Sequence, residues 1–195
     1  MQKPSGYDEA PVSGERTPIE VGGHYCVIKQ VTEKKSSTGK DMIVVVFDFC
    51  APDKQKDYFM TAFKNDTRDN KKWPFAGTKY IMVNDYNDPK KTSSQFKTFC
   101  TCVEKSNNTQ IRWDLGGEWG KQFVGKKIGA VYGMEENEYD GRTFMRPVPK
   151  WFCSVEAVKD AHVPEPKYLK RNTAQSTETG FLNVPDGEMD EIPFA

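Results

Sequence analysis

The chain has 195 residues, of which 36% are hydrophobic and 29% are charged, which suits one modest core with extensions. No apolar run approaches the roughly 20 residues that cross a bilayer, and the N-terminus has no apolar signal segment, so we expect a cytoplasmic protein that does not contact membranes. The net charge is zero, yet no Lys or Arg follows Arg171, which leaves 28 basic and 23 acidic residues in 1–171 and only acidic charges beyond. This asymmetry favours a phosphate-bearing partner for the body of the protein.

Composition divides the chain into three parts. Residues 1–18 are rich in Pro, Gly, Ser and charged residues, which predicts a flexible N-terminal arm. Residues 19–161 carry the strand and helix patterns, and we expect them to form one folded domain. Residues 162–195 are predicted to be a linker followed by an acidic tail.

The folded part begins with three predicted strands. HYCVIKQVTE (24–33) and MIVVVFDFC (42–50) are rich in β-branched and aromatic residues, and the glycine-containing turn between them predicts a hairpin. DYFMTAFK (57–64) follows a polar turn and is predicted as the third strand. Three consecutive antiparallel strands would form a meander.

An amphipathic helix is predicted over 92–107, where the spacing of apolar residues changes. Four of them recur at helical intervals and share one face, namely Phe96, Phe99, Cys100 and Val103. Ser93 or Ser94 can cap the start of this helix, because a serine side chain accepts a hydrogen bond from the first turn.

Strand patterns return after the helix, over 126–134 and 143–154. We expect a loop over 135–142 between them, in which Asp140-Gly141 is a hairpin turn signal. Residues 155–161 are predicted to form one or two helical turns.

The predicted order β-β-β-α-β-β indicates a mainly β protein, with a five-stranded OB-fold-like barrel and one helix between strands 3 and 4. A small SH3-like barrel, or a sandwich with an inserted helix, would give a similar order. The arm and the tail would extend from the ends of the folded domain.

Catalytic motifs are missing from the sequence. It contains no Walker loop, GxGxxG, GxSxG or HExxH, so we expect no enzyme activity and no cofactor. The five cysteines form no CxxC pair and there are only two histidines, so we expect neither a disulfide framework nor a metal site.

Basic and aromatic residues alternate in several stretches, a pattern typical of proteins that bind single-stranded nucleic acid, in which cations follow the phosphates and flat side chains stack on bases. The candidate DNA-binding residues are Lys34, Lys35, Lys40, Phe63, Lys64, Arg68, Lys72, Trp73, Tyr139, Arg142, Phe144 and Arg146. Residues 111–121 add a further stretch with Arg and Trp. Lysines at turns are often only solvated and strand aromatics are often core, so each candidate also has a purely structural interpretation.

The chain ends in GEMDEIPFA, and this segment resembles the acidic C-terminal tip of bacterial single-stranded DNA-binding proteins. In that family the tip follows an OB-fold domain and a flexible linker, and docks replication and repair enzymes. The matching residues, which the resemblance implies dock partners, are Asp190, Glu191, Ile192, Pro193 and Phe194. Ala195 extends the chain one residue beyond the family's terminal phenylalanine.

The body resembles single-stranded DNA-binding proteins of phages and mobile elements over roughly residues 19 to 158. The similarity lies in SSTGKDMIVVVF, FVGKKIGAVYG and EYDGRTF. The resemblance implies an OB-fold that binds single-stranded DNA with little sequence preference, in replication, recombination or repair, without catalysis. A protein–protein adaptor or inhibitor with an OB-like barrel stays open as an alternative, as do an enzyme of unrecognised type and homo-oligomerisation.

Overall fold

Five antiparallel strands form one sheet in the computed structural model, which describes residues 3–5, 7 and 17–169. The strands are β1 (Gly22–Lys35), β2 (Asp41–Phe49), β3 (Thr78–Met82), β4 (Lys127–Tyr139) and β5 (Arg142–Cys153). Their order in the sheet is β3-β2-β1-β4-β5, so β3 and β5 are the two edges. No strand pairing joins these edges within the described residues, and the sheet is therefore open.

Strand β1 buries alternate side chains, as the period of a half-buried strand requires, whereas β2 and β4 bury side chains on both faces over much of their length. On β2 the side chains of Ile43, Val45 and Phe47 point into the core. The β1–β2 hairpin is predicted correctly from the sequence, and its turn is closed by hydrogen bonds between Ser36 and Lys40.

Two α-helices and three 3-10 helices accompany the sheet in the described part of the chain. They are α1 (Tyr58–Lys64) and α2 (Ser94–Asn107), with 3-10 helices at Phe75–Gly77, Gly116–Phe123 and Val155–Ala157. Helix α2 lies between β3 and β4 as predicted, and the Ser93 hydroxyl accepts a hydrogen bond from the Phe96 N–H at 3.1 Å. The four apolar residues predicted to share its face are all buried.

The predicted strand over 57–64 is wrong, because this segment forms helix α1. The reason lies on β2, where the fully buried carboxylate of Asp48 accepts backbone hydrogen bonds from Phe59 at 2.9 Å and Met60 at 3.0 Å. The free N–H groups at a helix start need such acceptors, and here a residue on another element supplies them. The third strand of the sheet is instead β3.

The predicted loop over 135–142 is also wrong, because β4 and β5 continue through it as a long hairpin. Only Asp140 and Gly141 form the turn, and both have positive φ, at 52° and 71°. Residues 155–157 form a 3-10 turn, in line with the short helical segment expected there.

A buried histidine–aspartate pair ties the start of β1 to the loop after β2. Nδ1 of His24 lies 3.1 Å from Oδ2 of Asp53, and both side chains are about 5% exposed. The backbone N–H groups of Tyr25 and Gln55 also donate to Asp53. Burial alone would raise the pKa of Asp53, but these hydrogen bonds together hold it below its usual value.

Residues close to both ends of the described chain contact the sheet region. Lys167 forms a parallel bridge with Glu135 on β4, so the first residues of the predicted linker lie beside this strand. At the other end, the Thr17 carbonyl accepts a hydrogen bond from the Tyr58 hydroxyl. Among the described residues, no helix is long and apolar enough to cross a membrane.

Candidate nucleic-acid interface

A groove of about 380 Å³ lies between the two edges of the sheet, where β3 approaches β5. Four cationic side chains and one carboxylate line it together with aromatic and apolar residues. These residues are Phe75, Thr78, Lys79, Tyr80, Glu135, Arg146, Val148, Pro149, Lys150 and Lys167. The excess of cations gives the groove a positive charge, which suits an anionic ligand.

Arg146 and two aromatic rings form the centre of this groove. The guanidinium carbon of Arg146 lies 4.7 Å from the centroid of the Phe75 ring, which is a cation–π contact. The Phe75 ring in turn lies 6.4 Å from the ring of Tyr80. Both rings are about half exposed, and Nε of Arg146 is buried without a hydrogen-bond partner among the described residues. The arrangement therefore places two half-exposed aromatic rings beside a guanidinium group.

Lys79 spans the gap between the two edge strands. Its Nζ donates hydrogen bonds to the backbone carbonyls of Pro149 at 2.9 Å and Lys150 at 2.7 Å. Burial and the neighbouring charge of Lys150 lower the pKa of this ammonium. The Tyr132 hydroxyl on β4 donates to the Ala76 carbonyl in the 3-10 helix before β3 at 2.5 Å. The Lys79 side chain therefore connects the two edge strands where no strand pairing does.

Glu135 is the one carboxylate among the described residues that line the groove, and two lysines lie close to it. Nζ of Lys167 lies 3.0 Å from its Oε1 and Nζ of Lys150 lies 3.8 Å away. The hydrogen bond from Lys167 is the main cause that lowers the pKa of Glu135. Glu135 therefore stays ionised and orients the two lysines at the groove wall.

The four candidates on the last hairpin share one face of it. Residues 142, 144 and 146 of β5 alternate with residues that point the other way, and Tyr139 pairs directly with Arg142 across the hairpin. Tyr139 and Phe144 are exposed, at 78% and 45%. This face leads from the exposed turn to the groove, where it ends at Arg146.

The three lysine candidates near the first turn lie at the other end of the sheet. Lys34 and Lys35 are exposed at the end of β1, and Lys35 forms an ion pair with Asp41 at 2.6 Å. Nζ of Lys40 lies 4.1 Å from the centroid of the Tyr86 ring. None of the three lines the groove between β3 and β5.

The five candidates between 63 and 73 lie on α1 and the loop after it. Lys64, Arg68 and Lys72 are exposed, but Arg68 is engaged by the Asp66 carboxylate at 2.6 Å. Trp73 is half buried and packs on Phe63 at 5.7 Å between ring centroids. Its indole N–H is shared between two backbone carbonyls, those of Phe47 and Gly77. The Trp73 ring therefore has a packing role that accounts for its position.

Most of the groove residues do not follow from the sequence patterns, because the strand that carries three of them, β3, lacks a clear strand pattern. The five residues of β3 follow a Trp-Pro-Phe loop and carry too few alternating positions for a clear pattern. Lys79, Tyr80, Lys150 and Lys167 are the groove residues without a sequence signal of their own. Phe75 stands in a visibly aromatic and basic stretch, and this composition could have identified it.

The five cysteines are free thiols, and three of them are buried. Burial raises the pKa of Cys100 to about 12 and that of Cys153 to about 11, so neither is a thiolate at neutral pH. Within the described residues no three His, Cys, Asp or Glu side chains group as metal ligands.

The partner-docking candidates lie outside the described residues, and they are Asp190, Glu191, Ile192, Pro193 and Phe194. Neither a protein-family model nor a curated protein matches this chain. Any assignment of function therefore rests on the geometry of the groove and on the sequence.

Proposed function

We propose that the protein binds single-stranded DNA with little sequence preference and without catalysis. The observation that carries the proposal is the centre of the groove, where Arg146 lies over the Phe75 ring and the half-exposed ring of Tyr80 lies 6.4 Å from that of Phe75. Single-stranded DNA needs flat faces for its bases and cations for its phosphates, and each aromatic stack contributes about 1–3 kcal/mol. The groove offers both over a short distance.

We further propose that the open sheet is an OB-fold-like barrel whose closure depends on side chains. The order β3-β2-β1-β4-β5 would become a closed ring if β3 met β5, and α2 lies between β3 and β4. Lys79 bridges this gap with hydrogen bonds to two backbone carbonyls of β5. The Tyr132 hydroxyl ties β4 to the 3-10 helix that precedes β3. A barrel of this order commonly binds oligonucleotides across its strands and turns.

In this proposal the β4–β5 hairpin guides the strand toward the groove. Tyr139 and Phe144 offer stacking faces, and Arg142 and Arg146 on the same face of the hairpin attract phosphates. The acidic C-terminal tip recruits replication, recombination or repair proteins, as its resemblance to the bacterial tip suggests.

Fluorescence titration with oligo(dT) at low and high salt tests the proposed binding. We expect tight binding that weakens with salt. Each phosphate contact adds about 0.7 to the steepness with which the logarithm of the binding constant falls against the logarithm of the salt concentration. Arg146→Ala should reduce that slope by about this amount, and Phe75→Ala should weaken binding about fivefold or more through lost stacking. Lys97→Ala is the matched control, since this exposed lysine on α2 does not line the groove.

Two results would overturn the proposal. One is the absence of oligo(dT) binding at low salt, which would favour the protein–protein adaptor instead. The other is equal weakening by Lys97→Ala and Arg146→Ala, which would indicate only a diffuse charge effect. Metal-dependent degradation of the oligonucleotide would identify a nuclease.

A further inference from the structure

A second pocket, of about 600 Å³, opens at the end of the sheet beside the β1–β2 turn. Its wall combines the ends of β1 and β2 with α2 and the 3-10 helix Gly116–Phe123. Trp113, Trp119 and Phe96 supply aromatic surface to it, and Met42, Ile43 and Val83 supply aliphatic surface. The pocket is separate from the groove between β3 and β5, and the proposed binding mode above does not use it.

Trp113 is an exposed and supported aromatic platform in this pocket. Its side chain is 64% exposed, and its ring stacks on Trp119 at 5.6 Å between centroids with an interplanar angle of 26°. Trp119 is buried and stacks in turn on the buried ring of Phe96 at 5.9 Å. One face of a tryptophan is thus held by a stack of rings while much of the residue stays accessible.

The backbone beside Trp113 is also fixed. The side-chain amide of Gln122 accepts a hydrogen bond from the Arg112 N–H and donates one to the Arg112 carbonyl, both at 2.9 Å. The helix that carries Gln122 packs tightly on β1, because a Cβ on Gly120 would lie 2.2 Å from the Val31 carbonyl oxygen. A platform held in place loses little conformational entropy when a ligand binds to it.

The charges around this pocket are nearly balanced. Glu33 and Asp41 line it together with Lys34 and Lys35, and Lys35 is already paired with Asp41. Such a wall does not concentrate phosphate. It suits an uncharged aromatic ring, while the exposed Lys34 at the edge can contact the phosphate that follows.

The pocket is continuous with the strand surface next to the groove. Met42, which lines the pocket, pairs with Lys34 on one side and with Met82 on the other. Met82 and Tyr80 point to the same face of β3, two residues or about 7 Å apart. A single DNA strand leaving Tyr80 could therefore follow this row of side chains toward Trp113.

We infer that this pocket receives a base of bound single-stranded DNA, stacked on Trp113, and this inference rests on the proposed function. It adds a stacking position to the DNA site beyond those in the groove and on the hairpin. The charge balance argues against the acidic tail as occupant, since an acidic peptide would meet Glu33 and Asp41 as well as the lysines.

Anisotropy measurements with oligo(dT) of increasing length test the inference. The lengths should run from about 5 to about 30 nucleotides, which brackets the usual site of one OB-fold at about 4–16 nucleotides. Trp113→Ala should weaken binding of the longer oligonucleotides about fivefold or more and leave the shortest within about twofold. Trp113→Phe, which keeps a stacking ring, should stay close to the wild type. Because Trp113 is exposed, both variants should melt like the wild type, which circular dichroism checks.

The possible failures can be told apart. If Trp113→Ala binds every length like the wild type while Phe75→Ala is weakened, the inference is wrong and the proposed function stands. If the wild-type protein binds no length, both are wrong. If deletion of 187–195 changes tryptophan emission without DNA in the wild type but not in Trp113→Ala, the tail occupies the pocket and the inference is overturned.

Discussion

At the scale of single residues, two aspartates with buried side chains each hold several backbone groups, and they do so in different ways. Asp48 accepts two backbone hydrogen bonds at the start of α1 and one from its neighbour Phe49 on β2. Asp53 accepts one hydrogen bond from His24 and two from the backbone. Burial raises the pKa of Asp48 despite these bonds. In Asp53 the hydrogen bonds outweigh burial and lower the pKa.

Asp53→Asn should change how stability depends on pH. Because the pKa of Asp53 is lower in the folded state, its carboxylate stabilises the fold above its ordinary pKa of about 3.9 and loses this contribution as the pH falls through the lowered value. We expect the variant to lose about 2 kcal/mol at pH 7. Its free energy of unfolding should also fall less steeply below about pH 5 than that of the wild type.

Urea unfolding between neutral and acid pH measures this difference. The control is Asp114→Asn, whose carboxylate is 69% exposed and pairs with Arg112. Exposed ion pairs contribute little, so this variant should follow the wild-type curve. Parallel curves for Asp53→Asn and the wild type would contradict the assigned role of Asp53.

At the scale of elements, α1 depends on an acceptor from β2. Asp48→Ala leaves buried N–H groups of Phe59 and Met60 without a partner, and we expect a loss of about 2–3 kcal/mol in the free energy of unfolding. Asp48→Asn keeps one acceptor oxygen and should lose less. Thermal unfolding gives the stability, and amide exchange at Phe59 and Met60 shows whether α1 itself is loosened.

The matched control for this prediction is Asp57→Asn. Asp57 occupies the N-cap position of α1, yet its side chain makes no capping hydrogen bond and is 51% exposed. Asn tolerates the left-handed conformation found there. A loss for Asp57→Asn as large as for Asp48→Ala would show that α1 is not stabilised through Asp48.

Elements with strong periodicity could be predicted from the sequence, and those that depend on distant partners could not. The β1–β2 hairpin follows from its β-branched and aromatic composition and its glycine-containing turn, and α2 follows from the helical spacing of its apolar residues. The sequence of α1 has a local strand pattern. The carboxylate that accepts hydrogen bonds from its first turn belongs to Asp48, about ten positions earlier on β2, so local patterns do not predict the helix. The groove does not follow from local patterns for the same reason, because Lys79 and Arg146 come together only when both sheet edges are in place.

At the scale of the whole molecule, charge separates the body from the tail. Deletion of residues 187–195 removes three acids and no base, so the net charge rises from zero to +3. We expect oligo(dT) binding to stay unchanged or become slightly tighter at low salt, because electrostatic attraction for phosphate increases. Capture of purified replication and repair proteins should be lost.

Phe194→Ala separates the effect of the tail's charge on DNA binding from its capture of partner proteins, because it removes the aromatic side chain and keeps every charge. We expect it to lose partner capture and to bind oligo(dT) like the full chain. A collapse of strand binding on deletion would instead show that the tail is part of the folded domain, contrary to this division of roles.

The lysine that bridges β3 and β5 also occupies backbone acceptors that an added strand would need. Unpaired carbonyls on an edge strand invite another chain to add a strand, which is a common route to aggregation. Lys79 occupies the carbonyls of Pro149 and Lys150, and Pro147 and Pro149 offer no N–H to an incoming strand. The part of the β5 edge that borders the groove therefore offers fewer backbone partners to an added strand, while the groove itself stays accessible to a ligand.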